Sequence, residues 1–107
     1  MTVPVELTSK AMSDLGQIAD HVKLYNDVTV ARKVVKALLA EAKKVGEDHH
    51  HRLGEELDGY DGPPPREVHR WVCLGGRYEI HLEIKPAYAD PPTTIFVLRV
   101  WDTRQDR

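Results

Sequence analysis

The side chain best placed to move a proton near neutrality in this 107-residue chain is His81. It sits in an alternating stretch, Arg77-Tyr78-Glu79-Ile80-His81-Leu82-Glu83-Ile84, with Glu79 and Glu83 two residues away on the same side. Arg70 precedes it across a glycine turn, and Arg99 falls in a later strand pattern. His81 between two arginines, with Glu79 or Glu83 as a partner, has the makings of an acid–base site whose catalytic candidates are Arg70, His81 and Arg99. The competing reading is an ordinary mixed-charge solvent face of an antiparallel sheet. Other reactive types point to less. His49-His50-His51 cannot converge on one ion from a helix or strand, and no neighbouring cysteine completes a tetrahedral set, so neither metal nor cofactor is expected. Cys73 lies between Val72 and Leu74, where a thiol behaves as a small hydrophobe. Trp71 and Trp101 could stack on bases, although packing in a sheet is the commoner role.

Three strands must position these groups. Gly75-Gly76 is a two-residue hairpin signal. Counting outward from it sets Leu74 against Arg77, Trp71 against Ile80 and Arg70 against His81. Trp71, Cys73, Tyr78, Ile80, Leu82 and Ile84 then share the core side, with Arg70, Glu79, His81 and Glu83 opposite. His69 falls on the core side as a packed or edge histidine. After a loop with Pro86, Pro91 and Pro92, residues 94–101 form the last strand, with Phe96, Leu98 and Val100 expected in the core and Arg99 beside Arg70 and His81.

The first half of the chain is helical by periodicity. Val3, Val5 and Leu7 alternate as a short strand, at an edge because Pro4 donates no ladder bond. Thr8 or Ser9 caps a helix whose apolar face is Met12, Leu15, Ile18, Ala19, Val22 and Tyr25, ending near Asn26-Asp27. Asp27 caps a second helix with the stripe Ala31, Val34, Val35, Leu38, Ala42 and Val45, and Gly46 suits its C-terminal stop. Residues 47–65 read as a charged loop closing on Pro63-Pro64-Pro65. Two helical stripes and an alternating sheet imply an α+β domain in which a helical hairpin packs on an antiparallel β-sheet. Its 107 residues fit a single domain.

Composition limits the functions on offer. A formal net charge of −2 and a pI near 6.3 do not suit a domain that grips nucleic acid over its whole surface. Charge is instead local. Residues 28–46 carry Arg32, Lys33, Lys36, Lys43 and Lys44 against Glu41, and residues 47–61 carry six acids against Arg52. There is no apolar run of membrane-spanning length, and residues 1–5 lack a secretory signal's basic start and apolar stretch. With one cysteine, the cytoplasm is the expected compartment.

Four stretches taken in order resemble the RelE/ParE superfamily of bacterial toxins: Ile18-Ala19-Asp20, Arg66-Glu67-Val68, Gly76-Arg77-Tyr78-Glu79-Ile80 and Val97-Leu98-Arg99-Val100-Trp101. The order strand, helix, helix and three antiparallel strands matches as well. The resemblance implies a toxin silenced by a cognate antitoxin in a hetero-oligomer. It also implies one of two targets: DNA gyrase, as for ParE-like members, or the ribosome and its mRNA, as for RelE-like endoribonucleases. RNA cleavage needs a base, an acid and cations. Many RelE-like relatives carry His-x-Arg after the last strand, where this chain has Asp102-Thr103-Arg104, and an aspartate repels a phosphate backbone. The ParE-like branch is therefore expected, with Arg70, Arg77, Arg99, Arg104 and Arg107 as target contacts. Arg32, Lys33, Lys36, Lys43 and Lys44 would meet the antitoxin. A derived binding module without toxicity is a third reading.

Overall fold

A computed structural model describes residues 2–58, 60 and 62–104, with backbone alone for 48–52. The elements run β1 (Val5–Leu7), α1 (Ser9–Tyr25), α2 (Val28–Arg52), β2 (Glu67–Cys73), β3 (Tyr78–Lys85) and β4 (Thr94–Asp102). Both helix starts follow from their caps. The Thr8 hydroxyl accepts from Ala11 N, and the Asp27 carboxylate accepts from Val30 N at 3.0 Å. The sheet order is β1-β4-β3-β2. It is mixed rather than wholly antiparallel, because β1 runs parallel to β4 with Val5 against Ile95 and Leu7 against Val97.

The β2–β3 hairpin has the expected register, with Trp71 opposite Ile80 and Arg70 opposite His81. Gly75 and Gly76 both take positive φ, the backbone that a tight hairpin turn demands. Helices α1 and α2 cover one face of the sheet. Their residues Ala11, Leu15, Ile18, Val22, Ala31, Leu38, Ala42 and Val45 enclose Trp71, Ile80, Leu82, Ile84, Ile95, Val97 and Val100.

Four expectations need correcting. Met12 and Tyr25 are exposed, because the buried stripe of α1 runs through Ala11, Asp14, Leu15, Ile18 and Val22 instead. Gly46 does not end α2, which continues through residues 47–52. The glycine serves a close crossing: Val3 N donates to Gly46 O at 2.9 Å, and a Cβ at position 46 would lie 2.4 Å from Val3 O. His49-His50-His51 therefore belong to the α2 backbone, and their side chains lie outside the described residues. In β4 the core residues are Ile95 and Val97, not Phe96 and Leu98. The ladder shifts between His81 and Leu82, so Leu82 faces Val97, His81 faces Arg99 and Leu98 is the extra residue. Val100 and Arg99 keep their expected sides only because of this bulge.

The last correction concerns the sheet's second face, which is not an open solvent surface. Glu79, His81 and Glu83 are all buried. Tyr60 and Arg66, from the segment between α2 and β2, cover them. Part of this segment also pairs along the outer edge of β2, with Leu57 N donating to Val68 O at 2.7 Å and Arg70 N to Glu55 O at 2.9 Å.

Candidate functional site

Tyr60, from the covering segment, joins its hydroxyl to His81 Nδ1. The opposite ring nitrogen, Nε2, lies 2.7 Å from Glu79 Oε2. An ionised carboxylate only accepts, so Nε2 carries a proton, and in a neutral ring Nδ1 accepts from the tyrosine hydroxyl. Tyr60, His81 and Glu79 thus form a continuous relay. The Glu79 carboxylate reaches onward to Arg70 Nε at 3.4 Å. Burial pushes the Tyr60 hydroxyl above its ordinary value, while Arg99 and Arg66 pull the other way.

Arg66 and Glu83 form a two-pronged pair behind Tyr60. Nε and Nη2 each donate to a separate Glu83 oxygen at 2.8 Å. These bonds hold the Glu83 carboxyl below the usual carboxylate value, against the effect of its burial. Arg66 also lies 5.8 Å from the Tyr60 ring centre, so one arginine fastens the cover both to the sheet and to itself.

At the other side of His81 stand Trp101 and Arg99. The Arg99 guanidinium stacks 4.1 Å above the Trp101 ring. Its Nε donates to Asp14 Oδ2 at 2.8 Å and its Nη2 to Oδ1 at 3.1 Å. Asp14 also accepts from Val100 N at 3.0 Å. Strand β1 ends opposite Val97, so β4 beyond that point needs another acceptor along its edge, and Asp14 of α1 supplies one. The Asp14 bonds raise the Arg99 value further, and the guanidinium stays charged.

The structure therefore brings Arg70, His81 and Arg99 to one face, as the register predicted, but each is already engaged. Arg70 is held by Glu79 and by Glu55 at 3.3 Å. Arg77 lies at the far end of the hairpin, bonded to Asp102 Oδ1 at 3.3 Å and 5.5 Å from the Tyr78 ring centre. Asp102 also accepts from Arg104 N at 2.9 Å. Its carboxylate thus faces a cation rather than a bare surface, and Arg104 is exposed next to it. Arg107 lies outside the described residues.

Sequence reasoning missed Tyr60, Arg66 and Asp14. Asp14 had a signal, an acid on the apolar stripe of α1. Tyr60 is a lone aromatic in a polar segment, which hints at packing without saying where. His69 is an edge histidine on β2, next to Glu67. Burial raises the Cys73 thiol to about 12, so at neutral pH it remains a thiol and a poor nucleophile.

The basic residues of α2 divide among three surfaces. Arg32 and Lys36 border an apolar groove of about 330 Å³ with Val28, Ala31 and Val35. Lys43 borders a second of about 320 Å³ with Val5, Leu7 and Leu39. Lys44 instead faces the β2 edge, 3.2 Å from Glu41, and Lys33 is exposed.

Comparison with known proteins gives this arrangement a setting. A family model described as the ParE toxin of type II toxin-antitoxin systems, parDE, matches residues 5–107. No curated protein matches. Among solved structures, the chain is similar to one from the chromosomal ParDE system of P. aeruginosa. The TM-score is 0.72 and the identity 19%, over 94% of this chain and 96% of the other. It is also similar to one from the RelBE2 toxin-antitoxin complex of Mycobacterium tuberculosis, with TM-score 0.58 and 19% identity over 95% and 99% of the two chains. At that identity the structural likenesses speak for the fold.

Proposed function

This chain belongs to the ParE toxin family of type II toxin-antitoxin systems, and from that premise we propose that it inhibits DNA gyrase and is neutralised by a cognate antitoxin. The family match across residues 5–107 carries this reading. The state of the sheet face supports it. A surface built to cleave RNA needs cations free to meet phosphate and a base within reach of a ribose hydroxyl. On this face Arg66, Arg70 and Arg99 each hold a carboxylate, and His81 is clamped between Tyr60 and Glu79.

One observation favours the RelE-like alternative. A tyrosine, a histidine and a glutamate in hydrogen-bonded sequence are equipped for proton transfer, and uncovering them would expose an acid–base pair beside three arginines. Expression of the chain without antitoxin separates the readings. Gyrase trapped on broken DNA, with an SOS response, supports the first. Codon-associated mRNA cuts support the second, and unaffected growth points to a derived binding module.

The antitoxin surface follows from α2. Val28, Val35 and Leu39 form an exposed or half-exposed apolar stripe bordered by Arg32, Lys36 and Lys43, suited to an acidic amphipathic helix. Lys36→Glu with Lys43→Glu should slow antitoxin association at low salt. An unchanged low-salt rate would remove α2 from the interface. An added strand has less room than the bare sheet suggests, because residues 55–57 already take Val68 O and Arg70 N on the β2 edge. For the target surface, Arg104→Ala should lower toxicity with antitoxin binding kept, since Arg104 is an exposed cation just after β4.

No helix among the described residues is long and apolar enough to cross a membrane. We place the chain in the cytoplasm, the compartment that holds the proposed target.

A further inference from the structure

Beside the β2 edge, away from the His81 relay, three side chains from two segments converge. Glu56, Glu67 and His69 each offer one ligand atom, and these atoms lie within 4.8 Å of one another. Backbone register rather than side-chain reach brings them together. Glu56 bridges directly to His69 across the pairing of residues 55–57 with β2, while Glu67 and His69 share one side of β2 two residues apart.

The hydrogen-bond geometry around His69 is the telling observation. Its Nδ1 lies 3.1 Å from Gly54 O. A carbonyl oxygen only accepts, so the geometry assigns the proton to Nδ1. In a neutral imidazole, Nε2 then presents a lone pair. What it faces is Glu67 Oε2 at 2.5 Å, which has no proton to offer when ionised. Two acceptors at that separation need either a shared proton or a metal ion between them. The surroundings match the second case. Tyr88 N holds Glu67 Oε1 at 2.6 Å, and the Tyr88 hydroxyl holds Glu56 Oε1 at 2.6 Å. An imidazole anchored through its far N–H on a backbone carbonyl, with carboxylates braced by outer hydrogen bonds, is the arrangement that orients metal ligands.

We propose that Glu56, Glu67 and His69 bind a divalent transition-metal ion of the zinc class. One imidazole nitrogen and two carboxylates select zinc-like ions over calcium or magnesium, which prefer oxygen alone, and water fills the remaining positions. Bonds of about 2 Å to each donor ask the His69 and Glu67 atoms to part to about 3 Å, a small rotation of the Glu67 side chain. The ion fastens the covering segment to β2 only a few residues before Tyr60, and so steadies the cover over His81. The site goes beyond the toxin reading and stands whether or not gyrase is the target.

The experiment is a Zn²⁺ titration of the full chain by calorimetry at neutral pH, with Co²⁺ absorption as a second readout. It is run in a background carrying His49→Ala, His50→Ala and His51→Ala, so that the adjacent histidine run adds no binding of its own. The expected result is one ion per chain and a Tm that rises with Zn²⁺. Affinity should fall by about tenfold or more in Glu56→Gln and in His69→Ala, since even supporting residues of metal sites are worth about that much. Glu56 is exposed and outside the core, so its variant keeps the test sound if His69→Ala folds poorly. Zinc binding left unchanged by Glu56→Gln and by every well-folded His69 variant overturns the proposal. So does a background chain that takes up no zinc, leaving His69 and Glu67 as a hydrogen-bonded pair only.

Discussion

The two faces of the sheet are buried by opposite means. Toward the helices, Ile80, Leu82, Ile84, Val97 and Val100 pack against aliphatic side chains, and the gain is proportional to area and indifferent to direction. Toward Tyr60 and Arg66, Glu79, His81 and Glu83 are nearly as buried, yet each is held by a named partner at a fixed distance. The first face stabilises the fold. The second makes a polar surface rigid, and its energetics depend on geometry and pH in a way that apolar packing does not.

This contrast sets the size of mutational effects. The largest belongs to the apolar face, where Leu82 is 0% exposed. Leu82→Ala should destabilise the chain by about 2–5 kcal/mol, read from the urea midpoint. A loss below about 1 kcal/mol would mean that the helices do not pack as described. Next comes the edge between the faces. Asp14→Asn removes the charge that holds Arg99 and should cost about 2 kcal/mol, within the range for hydrogen bonds to charged groups. If Arg99→Ala and Asp14→Asn give additive losses in a double-mutant cycle, the pair carries no coupling and the edge account fails.

The smallest effect is a slope with pH. The folded Glu83 carboxyl lies below its unfolded value because Arg66 donates two hydrogen bonds to it. A depressed carboxyl contributes stability that is complete above the unfolded value of about 4.3 and fades as pH falls through the lower folded value. The stability gap between the native chain and Glu83→Gln should therefore be constant at neutral pH and narrow only in acid. A gap that narrows on the alkaline side would contradict the pairing.

What the sequence made legible was local. Thr8 and Asp27 announce their helix starts by side-chain chemistry, and Gly75-Gly76 fixes a hairpin register that places Arg70 against His81. The misreadings have tertiary causes. Ile95-Phe96-Val97-Leu98 is apolar in both phases, so alternation alone could not reveal that a bulge at Leu98 selects Ile95 and Val97 for the core. Gly46 carries the signature of a helix end, but the contact that requires a glycine comes from Val3, distant in the chain. The covered face was the deepest miss. Charged residues alternating with core residues imply solvent, and nothing local shows that Tyr60 and Arg66 will fold over them.

The functional account turns on whether the buried relay does chemistry or simply holds the cover in place. The direct measurement is incubation of the purified chain and its His81→Gln variant with gyrase and supercoiled DNA, and in parallel with translating ribosomes. The account predicts gyrase-dependent DNA breaks from both proteins and intact mRNA. Codon-associated mRNA cleavage by the native chain that disappears in His81→Gln, without DNA breakage by either protein, would contradict it.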